Sequence, residues 1–94
     1  MTRTKVAGVK KEHKVFLYTL STCGWCKKTK QFLKENNVEY EYLDIDTASS
    51  EERTQAIEEM KARKVRLGFP IIIIGDQTLI IGYKPDKIRE ALGL

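Results

Sequence analysis

Two cysteines three positions apart, Cys23 and Cys26, are the only ones in this 94-residue chain. A disulfide between such near neighbours closes a small loop and constrains the unfolded chain little, so the pair is a poor structural staple. Closely spaced cysteines more often serve metal binding or redox chemistry. Zinc needs four ligands, and His13 is the one histidine, so a zinc site within one chain is disfavoured. The pair favours redox chemistry, with space-filling cysteines or an iron–sulfur cluster bridging two copies as alternatives.

The cysteine pair stands where a strand is followed by a helix. Residues 15–19 are rich in β-branched and aromatic types, which predicts a buried strand, and the helix begins at Thr22 and Cys23. A cysteine at a helix amino terminus meets free backbone N–H groups and the positive end of the helix dipole, and both favour the thiolate. Cys26 lies almost one turn later and deeper. We therefore predict that Cys23 is the exposed nucleophile and Cys26 the resolving thiol.

The rest of the chain predicts an α/β fold in the order strand, helix, strand, helix, strand, strand, helix. Alternation over 38–45 predicts a second strand, and Ser49 with Glu52 forms a capping box that opens the next helix. A continuous apolar run, 71–74, predicts a strand buried on both faces, with 78–81 as its hairpin partner. The first strand, helix and strand are expected to form a parallel, right-handed unit.

Two groups of polar residues are expected to have structural roles and no chemical one. The first helix is predicted to turn Cys26 and Leu33 inward and its lysines, Lys30 among them, toward solvent. Asp44 and Asp46 could suggest a metal pair, but their place after a strand is typical of a solvated loop and a helix entry. No metal site is therefore predicted.

The formal net charge is +4, and much of the excess lies at the start of the chain, up to Lys14. A basic segment can bind nucleic acid or an anionic membrane, but this one has no aromatic residue before Phe16 on which bases could stack. We expect residues 1–13 to be a solvated, frayed extension of a domain at 14–94, with no nucleic-acid or membrane partner. No segment has the length of a membrane span and no signal-peptide core follows the basic start, so a cytoplasmic location is expected.

Together with the cysteine motif, Phe69-Pro70 and Gly82-Tyr83 resemble the glutaredoxin family, and the resemblance covers nearly the whole chain. It implies a thioredoxin-like fold with a four-stranded mixed sheet flanked by three helices. It also implies a cis peptide before Pro70, beside the two sulfurs, where the backbone of Phe69 pairs with an extended substrate. Trp25 is expected to flank the site as an apolar contact for partners, with a place in the core as the alternative. Pro70, Gly82 and Tyr83 complete the predicted substrate-binding residues with Phe69 and Trp25.

Two departures from the family pattern bear on the electron donor. Glutathione-using members often have a lysine where this chain has Leu20, and Thr-Val-Pro where it has the residues 68–70, Gly-Phe-Pro. The stretch 82–86, Gly-Tyr-Lys-Pro-Asp, is instead similar to the Gly-Phe-Arg-Pro-Asp of NrdH-type redoxins. Those proteins take electrons from thioredoxin reductase and commonly serve ribonucleotide reductase.

The resulting hypothesis is a monomeric thiol–disulfide oxidoreductase that carries electrons, with no cofactor beyond its own Cys23–Cys26 disulfide. Its expected partners are protein disulfides, with ribonucleotide reductase as one candidate. Its expected donor is a thioredoxin reductase-like protein or glutathione. The alternatives are a conventional glutathione-dependent glutaredoxin, an iron–sulfur cluster-binding or carrier protein that uses Cys23 in a dimer, and a binding module with silent cysteines.

Overall fold

Five strands and three helices follow one another in the parts of the chain that the computed structural model describes, residues 4–63, 68–75 and 78–94. The strands are β1 (Thr4–Val6), β2 (Val15–Thr19), β3 (Tyr40–Asp44), β4 (Ile71–Ile74) and β5 (Thr78–Ile81). The helices are α1 (Gly24–Glu35), α2 (Ser50–Ala62) and α3 (Pro85–Leu92). From β2 onward this is the predicted order, and the α/β class is confirmed.

The strands form one mixed sheet in the order β1-β3-β2-β4-β5. β2 and β3 are parallel, as expected for strands joined by a helical crossover, while β4 is antiparallel to β2 and β5 is antiparallel to β4. Tyr18 pairs with Ile71, and Ile71 pairs with Ile81. The carboxyl ends of β2, β3 and β5 therefore meet the amino end of β4 at one edge of the sheet. The segment that follows β2 at this edge carries the first cysteine.

The sheet has one strand more than predicted, because Thr4–Val6 pairs antiparallel with β3. The expectation of a frayed terminus is wrong for this segment. The N–H of Lys10 donates to the carbonyl oxygen of Asn37 at 2.9 Å, and the Lys10 carbonyl accepts from the N–H of Glu39 at 3.0 Å. Gly8 permits this close approach, since a Cβ there would lie 2.7 Å from the same Asn37 oxygen. The basic segment is thus joined to the sheet.

The core lies on both faces of the sheet, because side chains alternate along each strand. Val15 and Leu17 of β2 pack with α1 and α3, and Phe16 and Tyr18 pack with α2. β4 is buried along its whole length, as its unbroken apolar sequence predicts. The three helices thus flank the sheet as expected, two on one face and one on the other.

The ends of the helices largely follow the sequence signals. Ser49 caps α2: its Oγ accepts from the Glu52 N–H at 3.2 Å and donates to Glu52 Oε1 at 3.0 Å, so the predicted start of the helix is confirmed. Pro85 stands in the first turn of α3, and Gly93 ends that helix with a φ of 70°. Residues 76–77 of the predicted hairpin turn lie outside the described residues. None of the three described helices could cross a membrane, since each is too short or too polar.

Candidate redox site

Cys23 is the N-cap residue of α1 and holds the outer of the two thiols. The residue is partly exposed, and its Sγ accepts a hydrogen bond from the backbone N–H of Cys26 at 3.2 Å. Cys26 lies on the buried side of the helix with no exposed surface, and both cysteines are free thiols. The structure therefore has an outer and an inner thiol in the predicted order. Their division of labour stays a prediction.

Burial controls the chemistry of the inner thiol. It raises the pKa of Cys26 from 9.0 to about 12, with a side-chain hydrogen bond to Cys23 as the second cause. A backbone hydrogen bond with Leu20 and the positive charge of Lys30 lower this pKa, but they are the weaker influences. Cys26 is therefore a protonated thiol at neutral pH. Because only the thiolate attacks sulfur, Cys26 must lose its proton when it acts.

The turn that leads into Cys23 is hydrogen-bonded to the loop that follows β3. The Ser21 N–H donates to Asp46 Oδ1 at 2.9 Å, and the Ser21 hydroxyl donates to Asp46 Oδ2. These two bonds hold the pKa of the Asp46 carboxyl below its usual value. Sequence reasoning placed Asp46 in a solvated loop and missed this contact. A signal was present, since Asp46 and Ser21 each follow one of two parallel strands and the ends of parallel strands meet.

A second polar group lies beside the inner thiol. Thr19, fully buried at the end of β2, donates from its hydroxyl to Asp44 Oδ1. Lys30 Nζ lies 3.2 Å from the same oxygen and 3.7 Å from the ring centroid of Tyr42. Lys30 was predicted to face solvent, but its side chain is only 19% exposed because these partners draw it onto the sheet. Lys30 is one turn after Cys26, so its charge bears on the buried thiol.

Phe69, Pro70 and Gly82 lie at the same edge of the sheet. The Phe69–Pro70 peptide is cis, as the family resemblance implied, and Pro70 is buried directly before β4. Its carbonyl oxygen accepts from the N–H of Gly82 at 2.7 Å. Gly82 has a φ of 90°, a conformation that disfavours any residue with a Cβ. Since β4 runs antiparallel to β2, the Phe69–Pro70 segment lies beside the end of β2, from which the chain turns toward Cys23.

An aromatic contact joins the first turn of α1 to the segment after β5. The rings of Trp25 and Tyr83 are stacked, with centroids 6.0 Å apart and planes 24° from parallel. The rings of Tyr83 and Phe32 form a T-shaped pair, with centroids 6.4 Å apart. Trp25 is 57% exposed, so it is a surface residue and not part of the core. All five residues predicted to bind substrate thus lie at this edge, while their binding role stays a prediction.

The arrangement suits thiol–disulfide exchange by the two sulfurs. In the described ranges, no three side chains of His, Cys, Asp or Glu are grouped so that they could hold a metal ion. The outer cysteine, at a helix amino terminus, can attack a disulfide in another molecule. The buried cysteine next to it can attack only the sulfur of the outer cysteine.

Comparisons with known proteins agree with this chemistry. Residues 15–80 match the model of the family described as Glutaredoxin, and the chain belongs to that family. An uncharacterised glutaredoxin-like 8.6 kDa protein in the rubredoxin operon of Clostridium pasteurianum is 35% identical over 76 residues, which are 81% of this chain and 93% of that protein. The glutaredoxin from Methanosarcina mazei Go1, known from a crystal structure, has 40% sequence identity to this chain. The two structures superpose with a TM-score of 0.85, and the match covers 100% of this chain and 90% of that one.

A solved NrdH-redoxin from Escherichia coli is also similar, at 25% identity and a TM-score of 0.68 over 82% of this chain and 92% of that one. These likenesses confirm the thioredoxin-like fold. Membership of the family makes the protein a thiol–disulfide oxidoreductase in general terms.

Proposed function

We propose that this protein carries electrons to protein disulfides by dithiol exchange through Cys23 and Cys26. The observation that carries the proposal is the placement of the two thiols. Cys23 is partly exposed at the start of α1, and Cys26 is fully buried, with its backbone nitrogen 3.2 Å from Cys23 Sγ. The outer thiol can reach a disulfide in a partner, and the inner thiol can reach only the outer one.

The proposed exchange has two displacement steps. The Cys23 thiolate attacks one sulfur of the substrate disulfide, which breaks the substrate S–S bond, forms a mixed disulfide and releases one substrate thiolate. Cys26 then gives up its proton and attacks Cys23 Sγ, which releases the second substrate thiolate and forms the Cys23–Cys26 disulfide. The substrate gains two electrons and is protonated to a dithiol, and the redoxin is oxidised. An external donor of two electrons restores the redoxin.

For the donor we propose a flavoprotein of the thioredoxin reductase class in preference to glutathione. Leu20 is half-buried and packs against the cluster on the α2 face, so it offers no cation to the carboxylates of glutathione. A charge-assisted hydrogen bond contributes about 1.5–3 kcal/mol, and its absence weakens binding on the order of tenfold to a hundredfold. The similar NrdH-redoxin is described as a glutaredoxin-like protein with a thioredoxin-like activity profile, which supports the same donor.

Parallel stopped-flow reduction of the oxidised protein tests the donor. We expect slow reduction by glutathione and faster reduction by thioredoxin reductase with NADPH. Leu20→Lys should raise the glutathione rate, because it adds the missing cation. Rapid reduction by glutathione that this substitution leaves unchanged would make the protein a conventional glutathione-dependent glutaredoxin.

The iron–sulfur alternative has its own test. Protein isolated without exposure to air is expected to have no visible absorbance band. A band that disappears in Cys23→Ser would favour a cluster-binding protein. A cytoplasmic location, a monomeric state and ribonucleotide reductase as a substrate remain predictions from the sequence.

A further inference from the structure

Positive charge is concentrated on the helix that Cys23 opens. α1 carries four lysines and one glutamate, and no acidic residue stands in its first turn. α2, on the opposite face of the sheet, carries four glutamates with one arginine and one lysine. The two helices thus differ in the sign of their net charge, and the positive helix begins at the redox site.

Two exposed lysines border the aromatic pair beside the outer thiol. Lys28 Nζ lies 4.8 Å from the ring centroid of Trp25, so an ammonium group is held next to an exposed indole. Lys84 follows Tyr83 directly and is the N-cap residue of α3, with its side chain exposed. Because the rings of Trp25 and Tyr83 are stacked, Lys28, which contacts one ring, and Lys84, which follows the residue that carries the other, belong to the surroundings of one aromatic pair.

The cations around this patch are not neutralised within the described parts of the chain. Lys28 and Lys84 form no ion pair there, and Asp86, in the first turn of α3, pairs with Arg89 at 3.3 Å. Exposed cations at the rim of an apolar patch attract anionic partners and repel cationic ones.

We propose that the docking face formed by Trp25, Tyr83, Lys28 and Lys84 selects disulfides in polypeptides whose cysteines are flanked by Asp or Glu. The inference rests on the proposed function, because it names the substrate class of the same dithiol. An apolar side chain of the partner covers the aromatic pair, and a neighbouring carboxylate meets a lysine. Since the lysines are exposed, they act mainly on the rate of association and are screened by salt.

Three synthetic peptides test the selectivity. The peptides have the same length and one intramolecular disulfide, and the residues beside the cysteines are Glu, Gln or Lys. We expect single-turnover oxidation of the reduced protein to be fastest with the Glu peptide and slowest with the Lys peptide. Each lysine of the docking face should contribute about 1.5- to 5-fold at low salt, and the differences should shrink in concentrated salt.

Charge variants locate the effect on the molecule. Lys28→Gln and Lys84→Gln should slow the reaction with the Glu peptide more than the reaction with the Gln peptide, whereas Lys28→Arg should retain the preference for the Glu peptide. Lys34→Gln is the matched control, because it removes the same charge from the last turn of α1. Equal rates with the three peptides, or an equal loss in Lys34→Gln, would overturn the docking face. Failure to reduce any peptide, or the disulfides of insulin, would instead overturn the proposed function.

Discussion

Ser21 donates two hydrogen bonds to Asp46, one from its backbone and one from its side chain. The two residues follow the parallel strands β2 and β3, and Cys23 stands two positions after Ser21. The position of the outer thiol therefore depends on a contact between two loops.

Removal of the Asp46 carboxylate should slow the attack by Cys23. We expect Asp46→Ala to lower kcat/KM for a disulfide substrate roughly three- to tenfold, because a freed turn holds the sulfur less often in a productive position. Ser21→Ala should have a smaller effect in the same direction, since the backbone bond remains. Glu35→Ala, at the far end of α1, changes the charge equally and should keep the wild-type rate. Circular dichroism should show that all three variants fold.

The same contact should respond to acid. Folding lowers the pKa of Asp46 below its model-compound value of 3.8, so the contact is complete above about that pH and is lost as the pH falls through the lowered value. We expect the protection factor of the Ser21 amide, measured by NMR and corrected for intrinsic exchange, to fall in the wild type as the pH drops below 3.8. In Asp46→Ala that fall should be absent, and a fall of the same size in the variant would contradict the assignment.

Substitution of the two cysteines should block disulfide reduction at different steps. Cys23→Ser should abolish disulfide reduction, because the exposed nucleophile is lost. Cys26→Ser should still attack a disulfide but should accumulate as a mixed disulfide, because no inner thiol can release the substrate. Mass spectrometry of each variant after reaction with a peptide disulfide checks both outcomes. A mixed disulfide on Cys26 in the Cys23→Ser protein would reverse the assignment.

Release of the reduced substrate should accelerate with pH. The pKa of Cys26 is raised to about 12, chiefly by burial, so the fraction of thiolate grows about tenfold for each pH unit in the neutral range. The hydrogen bond to the Cys23 thiol ends once the mixed disulfide forms, but burial remains. Rapid quench of a preformed mixed disulfide between about pH 6 and 9 measures the rate. A rate that does not change with pH would show that Cys26 is not deprotonated by the solvent.

Alanine substitutions at two glycines distinguish the cost of backbone strain from the cost of a steric clash. Gly82→Ala should destabilise the protein by about 1–2 kcal/mol, because its φ of 90° disfavours a residue with a Cβ, although no atom lies within 4 Å of the added group. Gly24→Ala is the matched control, since its site is equally open and lies in α1, where alanine is favoured. Urea denaturation of both variants gives the free energies of unfolding. A neutral Gly82→Ala would contradict the argument.

The elements that the sequence predicts correctly have strong local signals. The cysteine pair follows a β-branched strand, Ser49 is an N-cap residue, and the apolar run 71–74 suits a strand buried on both faces. In each case a few adjacent residues determine the structure, so no tertiary information is needed.

The contacts that the sequence does not reveal depend on residues far apart in the chain. Thr4–Val6 has too few residues to show a period, and its pairing with β3 is decided by the sheet. Lys30 has the periodicity of an exposed residue, yet Asp44 and Tyr42 on a neighbouring strand draw it inward. The stacking of Trp25 on Tyr83 likewise requires two segments to meet after folding.

The stacked indole gives the molecule an optical reporter of its own. Trp25 is the one tryptophan in the chain and stands between the two cysteines, partly open to solvent. Indole emission depends on the polarity and the sulfur groups around the ring, and formation of the Cys23–Cys26 bond changes those sulfur groups. The emission of the unlabelled protein is therefore expected to report the redox state. Because Trp25 is the one tryptophan, its emission arises entirely at the redox site.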